Sequence, residues 1–225
     1  MSGSTGVRGT PHEIALLADG PRAAVVVAVV ALHLRGAVEA GAPGTIRAVD
    51  GEAGRALPPL PPPGPFLEQG EPVPAGMRAL YLESAVYHCL EEPSGLRELL
   101  RHPDVRWAVA GVRVGLAEAG MLRYPVLLGP TTAARRRLRV LRTAFPLPAS
   151  RRGLPDDDKL LAVALHGEAA LRVLVPRFAL RAGLTERVSL RDKRLLRHSP
   201  RGSTYGGSGG HLYCGGGGGG GGGSD

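Results

Sequence analysis

The alternation of apolar and polar positions divides this chain into short, well-punctuated segments. "TPHEIALLADG", residues 10–20, opens on Thr10, has Pro11 behind it and Glu13 three places on, and ends at Gly20. That order predicts a helix with a capping box and a proline at its first position, with Ile14, Leu16 and Leu17 as its apolar surface. Pro21 begins "PRAAVVVAVVALHLRG", whose apolar run from Ala23 to Leu34 is twelve residues long. Valine favours strands, but the proline start, the interleaved alanines, the length and the Arg35-Gly36 stop predict a helix apolar nearly all round, enclosed by neighbours. Two short extended runs about a Gly-Ala-Pro-Gly turn, followed by Asp50-Gly51, predict a small β-hairpin. Helix, helix and hairpin make most of a winged-helix unit.

"LPPLPPPGP", residues 57–65, cannot continue helix or sheet, because proline removes a donor and fixes φ. It is expected to be a semi-rigid connector rather than a PxxP ligand, since no Arg or Lys lies inside it. The pattern then recurs: a helix over Met77–Glu91, a short one over Ser94–Arg101, a longer one over Asp104–Ala119 stopped by Gly120, and "MLRYPVLLGP" as strand and turn. "PRAAVVVAVVALHLRGAV" and "DVRWAVAGVRVGLAEAGML" share a Val/Ala-rich helix leading into a glycine and an apolar pair. The likeness suggests one supersecondary unit used twice. From Thr131 the chain offers the amphipathic "TTAARRRLRVLRTAF", an Ala/Leu helix over Lys159–Val175 broken at Pro176, and a last short helix in "RFALRAGL".

The expected fold is therefore mainly α with small β-hairpins: two tandem winged-helix-like units plus C-terminal helices and a disordered Gly-rich tail. The expected boundaries are 1–9 disordered, 10–52 the first unit, 53–76 the Pro-rich linker, 77–130 the second unit, 131–199 a basic helical extension, and 200–225 the tail, a flexible tether.

Charge adds a polarity to this plan. Residues 1–120 hold ten basic and thirteen acidic side chains, whereas residues 121–201 hold eighteen and six, so the net +8 belongs to the C-terminal half. Lys159 and Lys193 are the only lysines. With so much Ala, Gly and Pro, arginine enrichment reads as coding bias, and its placement carries more meaning than its total. Cys89 and Cys214 lie too far apart to suggest a disulfide framework, and no signal peptide is evident, which points to a cytoplasmic, reducing setting. The longest apolar run falls short of the roughly 20 residues that a membrane span needs.

"HEIALLADGPRAAVVVAVVALHLRGAVEAG" resembles an uncharacterised bacterial domain family with a Glu…Gly-Pro-Arg…Ala-Leu-His-x-Arg-Gly pattern, carried here by Glu13, Gly20-Pro21-Arg22 and Ala31–Gly36. "LESAVYHCL" through "LAEAGML" resembles its downstream half, and "HLYCGGGGGGGGGSD" its Gly/Cys-rich tail. The resemblance covers roughly residues 10–125 and the tail. Many members are membrane-embedded, so it implies placement near a membrane; it implies no activity. This chain departs in having no hydrophobic span and a single tail cysteine, Cys214.

The search for chemistry returns little. There is no P-loop, GxGxxG, HExxH, GxSxG or paired CxxC, and the seven histidines show no metal-ligand spacing. His88 and Cys89 would point to different sides of a helix, and "PDDDK", residues 155–159, is expected to start a helix with Asp156 or Asp157 as its cap. No catalytic residue, cofactor, metal site or small-molecule substrate is expected. The strongest electrostatic feature is Arg135, Arg136, Arg137, Arg139 and Arg142, a basic amphipathic helix suited to an anionic surface. The expectation is a non-catalytic interaction module with a protein partner or an anionic membrane surface, cytoplasmic and peripheral at the inner face. The alternative is a winged-helix nucleic-acid-binding protein. Against it, Arg22, His33 and Arg35 sit only at the ends of the first long helix, and Arg106 and Arg113 of the second are flanked by Ala110 and Ala117.

Overall fold

A computed structural model describes residues 9–60, 74–123 and 129–185. The expectations placed on residues 1–8, most of the proline run and the glycine tail lie outside the described residues. Within them the fold is mainly helical, with a small two-stranded antiparallel sheet.

Helix α1, Pro11–Asp19, starts as its sequence demands: Glu13 N donates to Thr10 Oγ1 at 3.3 Å, and Thr10 N donates to Glu13 Oε2 at 2.8 Å. Gly20, at φ 82°, turns the chain with a conformation that a side chain would resist, and Pro21 opens helix α2, Pro21–Leu34. Every residue of α2 from Ala24 to Leu32 is buried. Its end is a Schellman closure: Gly36 sits at φ 77°, Gly36 N donates to His33 O at 3.0 Å and Ala37 N to Leu32 O at 2.8 Å.

Strands β1 (Val38–Ala40) and β2 (Ile46–Ala48) follow, paired antiparallel with Glu39 opposite Arg47, and those two side chains are ion-paired. Helix α3, Glu52–Arg55, comes next. The segment expected to be a connector begins docked: Leu57 is buried, and Ser84 Oγ donates to Pro58 O at 2.5 Å. Leucine at 57 gives the chain an apolar anchor before the prolines take over.

A 3₁₀ turn, Ala75–Met77, leads into helix α4, Arg78–His88, then α5, Leu96–Leu99, and α6, Pro103–Glu118. Helix α6 ends as α2 does: Gly120 at φ 66°, Gly120 N donating to Ala117 O at 2.9 Å and Met121 N to Leu116 O at 2.8 Å. The likeness between the two sequence segments therefore extends to the closure of their helices. Leu122 and Pro130 form an isolated antiparallel bridge, and the middle of the strand and turn expected over 121–130 lies outside the described residues.

Helix α7 covers Thr132–Ala144, and α8, Asp156–His166, has its three aspartates in the first turn, where they favour the dipole; Pro155, not an aspartate, occupies the cap position. The single helix expected over 159–175 is two. Gly167 takes φ 53° and ends α8, and α9, Glu168–Leu174, starts anew before α10, Pro176–Arg181. Alanine and leucine on both sides keep helical periodicity across that glycine, which is why the break is hard to read in advance.

Helix α2 is the centre of the packing. Helices α1, α4, α6 and α8 and strand β1 all lie against it. The C-terminal helices are thus part of the core: α8 buries Leu161–Leu165 and packs on both α1 and α2. The hairpin is fastened to the α4–α5 junction, with an Ile46–Ser94 bridge and Tyr87 Oη donating to Val49 O at 3.3 Å. The Tyr87 ring rests directly on Gly54, in the space a Cβ would need.

Two substitutions test this packing. Leu32→Ala should cost about 2–5 kcal/mol in urea unfolding, because Leu32 is fully buried. Gly54→Ala should cost about 1–3 kcal/mol, since the tyrosine ring is rigid and must leave its place.

Candidate functional sites

Helix α7 divides its side chains cleanly. Thr131 caps it, with Ala134 N donating to Thr131 Oγ1 at 3.2 Å. Ala134 and Leu138 are buried, Leu141 and Phe145 are half-buried, and the helix packs on α1 and α8. Its apolar face is therefore occupied by the protein itself. Arg135, Arg136 and Arg139 stand exposed on the other side together with Val140, and no described residue pairs with them. The remaining two predicted arginines differ. Arg137 is half-buried and borders a cleft of about 390 Å³ between α1, α6 and α7, opposite Glu13. Arg142 is exposed, but its Nε donates to Leu165 O at 3.0 Å and so ties α7 to α8. Periodicity found the basic face; it could not show that one arginine turns inward and another bridges helices.

The two helices weighed for base reading are placed differently. Between Ala24 and Leu32, α2 offers nothing to a groove, and Arg35 at its end is held by Glu83. On α6, Arg106 is exposed and Arg113 half-buried, with Ala110 and Val114 exposed beside them.

Behind these surfaces lies an ion cluster without a short-range sequence signal. Glu83 on α4, 5 % exposed, is bonded by Arg35 at the end of α2. His12 of α1, also buried, brings Nε2 to 3.3 Å from Glu83 Oε1, outside hydrogen-bonding alignment. Burial, helped by the Arg35 charge, pushes the His12 imidazole down to about 4, so it is neutral near pH 7. Burial also pushes the Glu83 carboxyl up, and the Arg35 guanidinium opposes that rise. Elsewhere a buried cation, Arg78, lies across Gly115 and pairs with Glu118 at 2.7 Å.

Tertiary structure also gathers a donor set that the sequence spacing does not suggest. Cys89, His102 and Asp104 each place one ligand-type atom within 4.8 Å of the others. His88, the neighbour of Cys89, is exposed. A larger cleft, about 850 Å³, runs from the α1–α2 turn to the α8–α9 break; its Asp19, Arg22, Arg97, Glu98 and Glu168 give it both signs of charge and no convergent chemistry.

The ion cluster generates two expectations. Because the His12 imidazole titrates lower when folded, its neutral form supports the fold fully above pH 6.5, and that support is lost as pH falls from 6.5 towards 4. The loss is on the order of 3 kcal/mol, and stability measured across this window should fall more steeply for the native chain than for His12→Gln. Arg35→Met removes the partner of a buried carboxylate and should cost about 2–3 kcal/mol at pH 7, the solvent access of Arg35 reducing the penalty. Part of that loss should return on acidification, as Glu83 takes up a proton.

Compared with protein-family models, curated proteins and solved structures, the chain matches none.

Proposed function

We propose that this protein is a non-catalytic interaction module that docks on an anionic membrane surface through the arginine face of α7. The observation that carries this reading is the trio Arg135, Arg136 and Arg139, exposed on one helix face and without a described acidic partner. Each such charge is worth about 1 kcal/mol near an anionic leaflet, so the three give about 3 kcal/mol, a reversible association. Because Ala134 and Leu138 are buried in the fold, the helix brings no broad apolar face to the bilayer. The attachment is electrostatic and sensitive to salt.

The order of α1, α2 and the β1–β2 ribbon, then α4 to α6 and the Leu122–Pro130 pairing, supports reading two winged-helix-like units that share one core. Membership of the bacterial family with the Gly-Pro-Arg step, and a location at the inner face of the membrane, belong to the same proposal. No helix among the described residues is long and apolar enough to cross a membrane, so a peripheral contact is the mode that the reading uses.

Co-sedimentation with vesicles tests it. Binding to vesicles containing phosphatidylserine should exceed binding to neutral ones and should fall steeply as salt rises. Replacing Arg135, Arg136 and Arg139 together with glutamine should remove most of it while leaving the melting temperature unchanged. Equal binding to both vesicle types, or an unaffected triple variant, would overturn the proposal. Tighter, salt-dependent binding to random duplex DNA than to anionic vesicles would replace it with the nucleic-acid reading.

A further inference from the structure

We propose that Cys89, His102 and Asp104 form a binding site for a divalent transition-metal ion, with zinc the best fit. Cys89 is the cap at the end of α4, His102 the cap before α6, and Asp104 stands in the first turn of α6. Their backbones are held by buried neighbours, Leu90 after the cysteine and Val105 after the aspartate. The three ligand atoms lie within 4.8 Å of one another, and His102 Nδ1 is 3.6 Å from Asp104 Oδ2.

That last distance is too long for a hydrogen bond and suits two ligands of one ion. Bonds of about 2.0–2.3 Å to a tetrahedral zinc put neighbouring ligand atoms about 3.4–3.7 Å apart. The imidazole–carboxylate pair already has this separation, and from the outer limit of 4.8 Å the sulfur needs to close by at most about 1.4 Å, within the reach of one side-chain torsion. His102 Nδ1 is itself shielded from solvent and has no hydrogen-bond partner, a condition that a metal bond relieves.

On binding, the Cys89 thiol releases one proton to solvent and the sulfur lone pair forms the metal bond. One sulfur, one nitrogen and one carboxylate oxygen form a mixed donor set that suits zinc among common divalent ions, whereas magnesium and calcium take oxygen alone. Three protein ligands leave a fourth position, and the half-exposed side chains of His102 and Asp104 open it to solvent.

The test uses the full chain with Cys214→Ser, so that Cys89 is the single thiol, titrated with Co(II) and then Zn(II). The expected result is one equivalent of cobalt, a thiolate-to-cobalt charge-transfer band, the strong visible bands of four-coordinate Co(II), and their loss when zinc displaces the ion. His102→Ala and Asp104→Asn should each weaken zinc binding at least tenfold, since even loss of outer-shell support costs about 10–100-fold in affinity. Thermal melts without metal establish that each variant is folded. Absence of the charge-transfer band in the Cys214→Ser chain would overturn the proposal, whichever variants fold. So would a band and affinity that survive both His102→Ala and Asp104→Asn.

Discussion

A helix with no solvent-facing side chain from Ala24 to Leu32 imposes its terms on everything around it. Each face needs apolar partners, and the chain supplies them from near and far: α1 immediately before, β1 immediately after, α4 and α6 from the middle, and α8 near the end of the described residues. Valine and alanine suit this role because they are short, so neighbouring helices can approach closely, and the β-branched valines have few rotamers to lose. The same enclosure removes α2 from any contact with a partner and leaves interaction to the outer helices.

Charge is arranged around that rod in two ways. The buried Glu83 is matched across elements: Arg35 at the end of α2 pairs with it on α4, with a neutral His12 beside them. Such a pair contributes little net stability over an apolar substitute, but removal of one member leaves an uncompensated charge, so the cluster fixes which surfaces meet. On α7 the opposite holds. Three arginines point outward with no described partner, while Arg142 and Arg137 are drawn toward the body of the protein. The helix is bolted down by one face and offers the other.

Much of the secondary structure was legible because its signals are local. Thr10, Pro11 and Glu13 specify the start of α1 by themselves, Gly36 and Gly120 close α2 and α6, and the 3.6-residue period separates Leu138 from Arg139. The features that escaped reading are those decided by tertiary contact. Gly167 interrupts a run whose composition is helical on both sides. The basic C-terminal stretch gave no sign that Leu161–Leu165 belongs to the central core. The cysteine, histidine and aspartate that meet at the α4–α6 junction are spaced unlike any short ligand motif, because a whole intervening helix, α5, folds the chain back between them. His12 and Glu83 are farther apart still.

The reliance of α2 on α8 also has a consequence in time. Synthesis from Leu34 to His166, at about 5–20 residues per second, takes roughly 7–26 s. Throughout that interval the nascent chain carries a valine-rich rod with one flank uncovered, closed off only when a segment more than half the chain away emerges from the ribosome. A holdase or a nearby bilayer would meet its greasiest surface before its own C-terminal helices do.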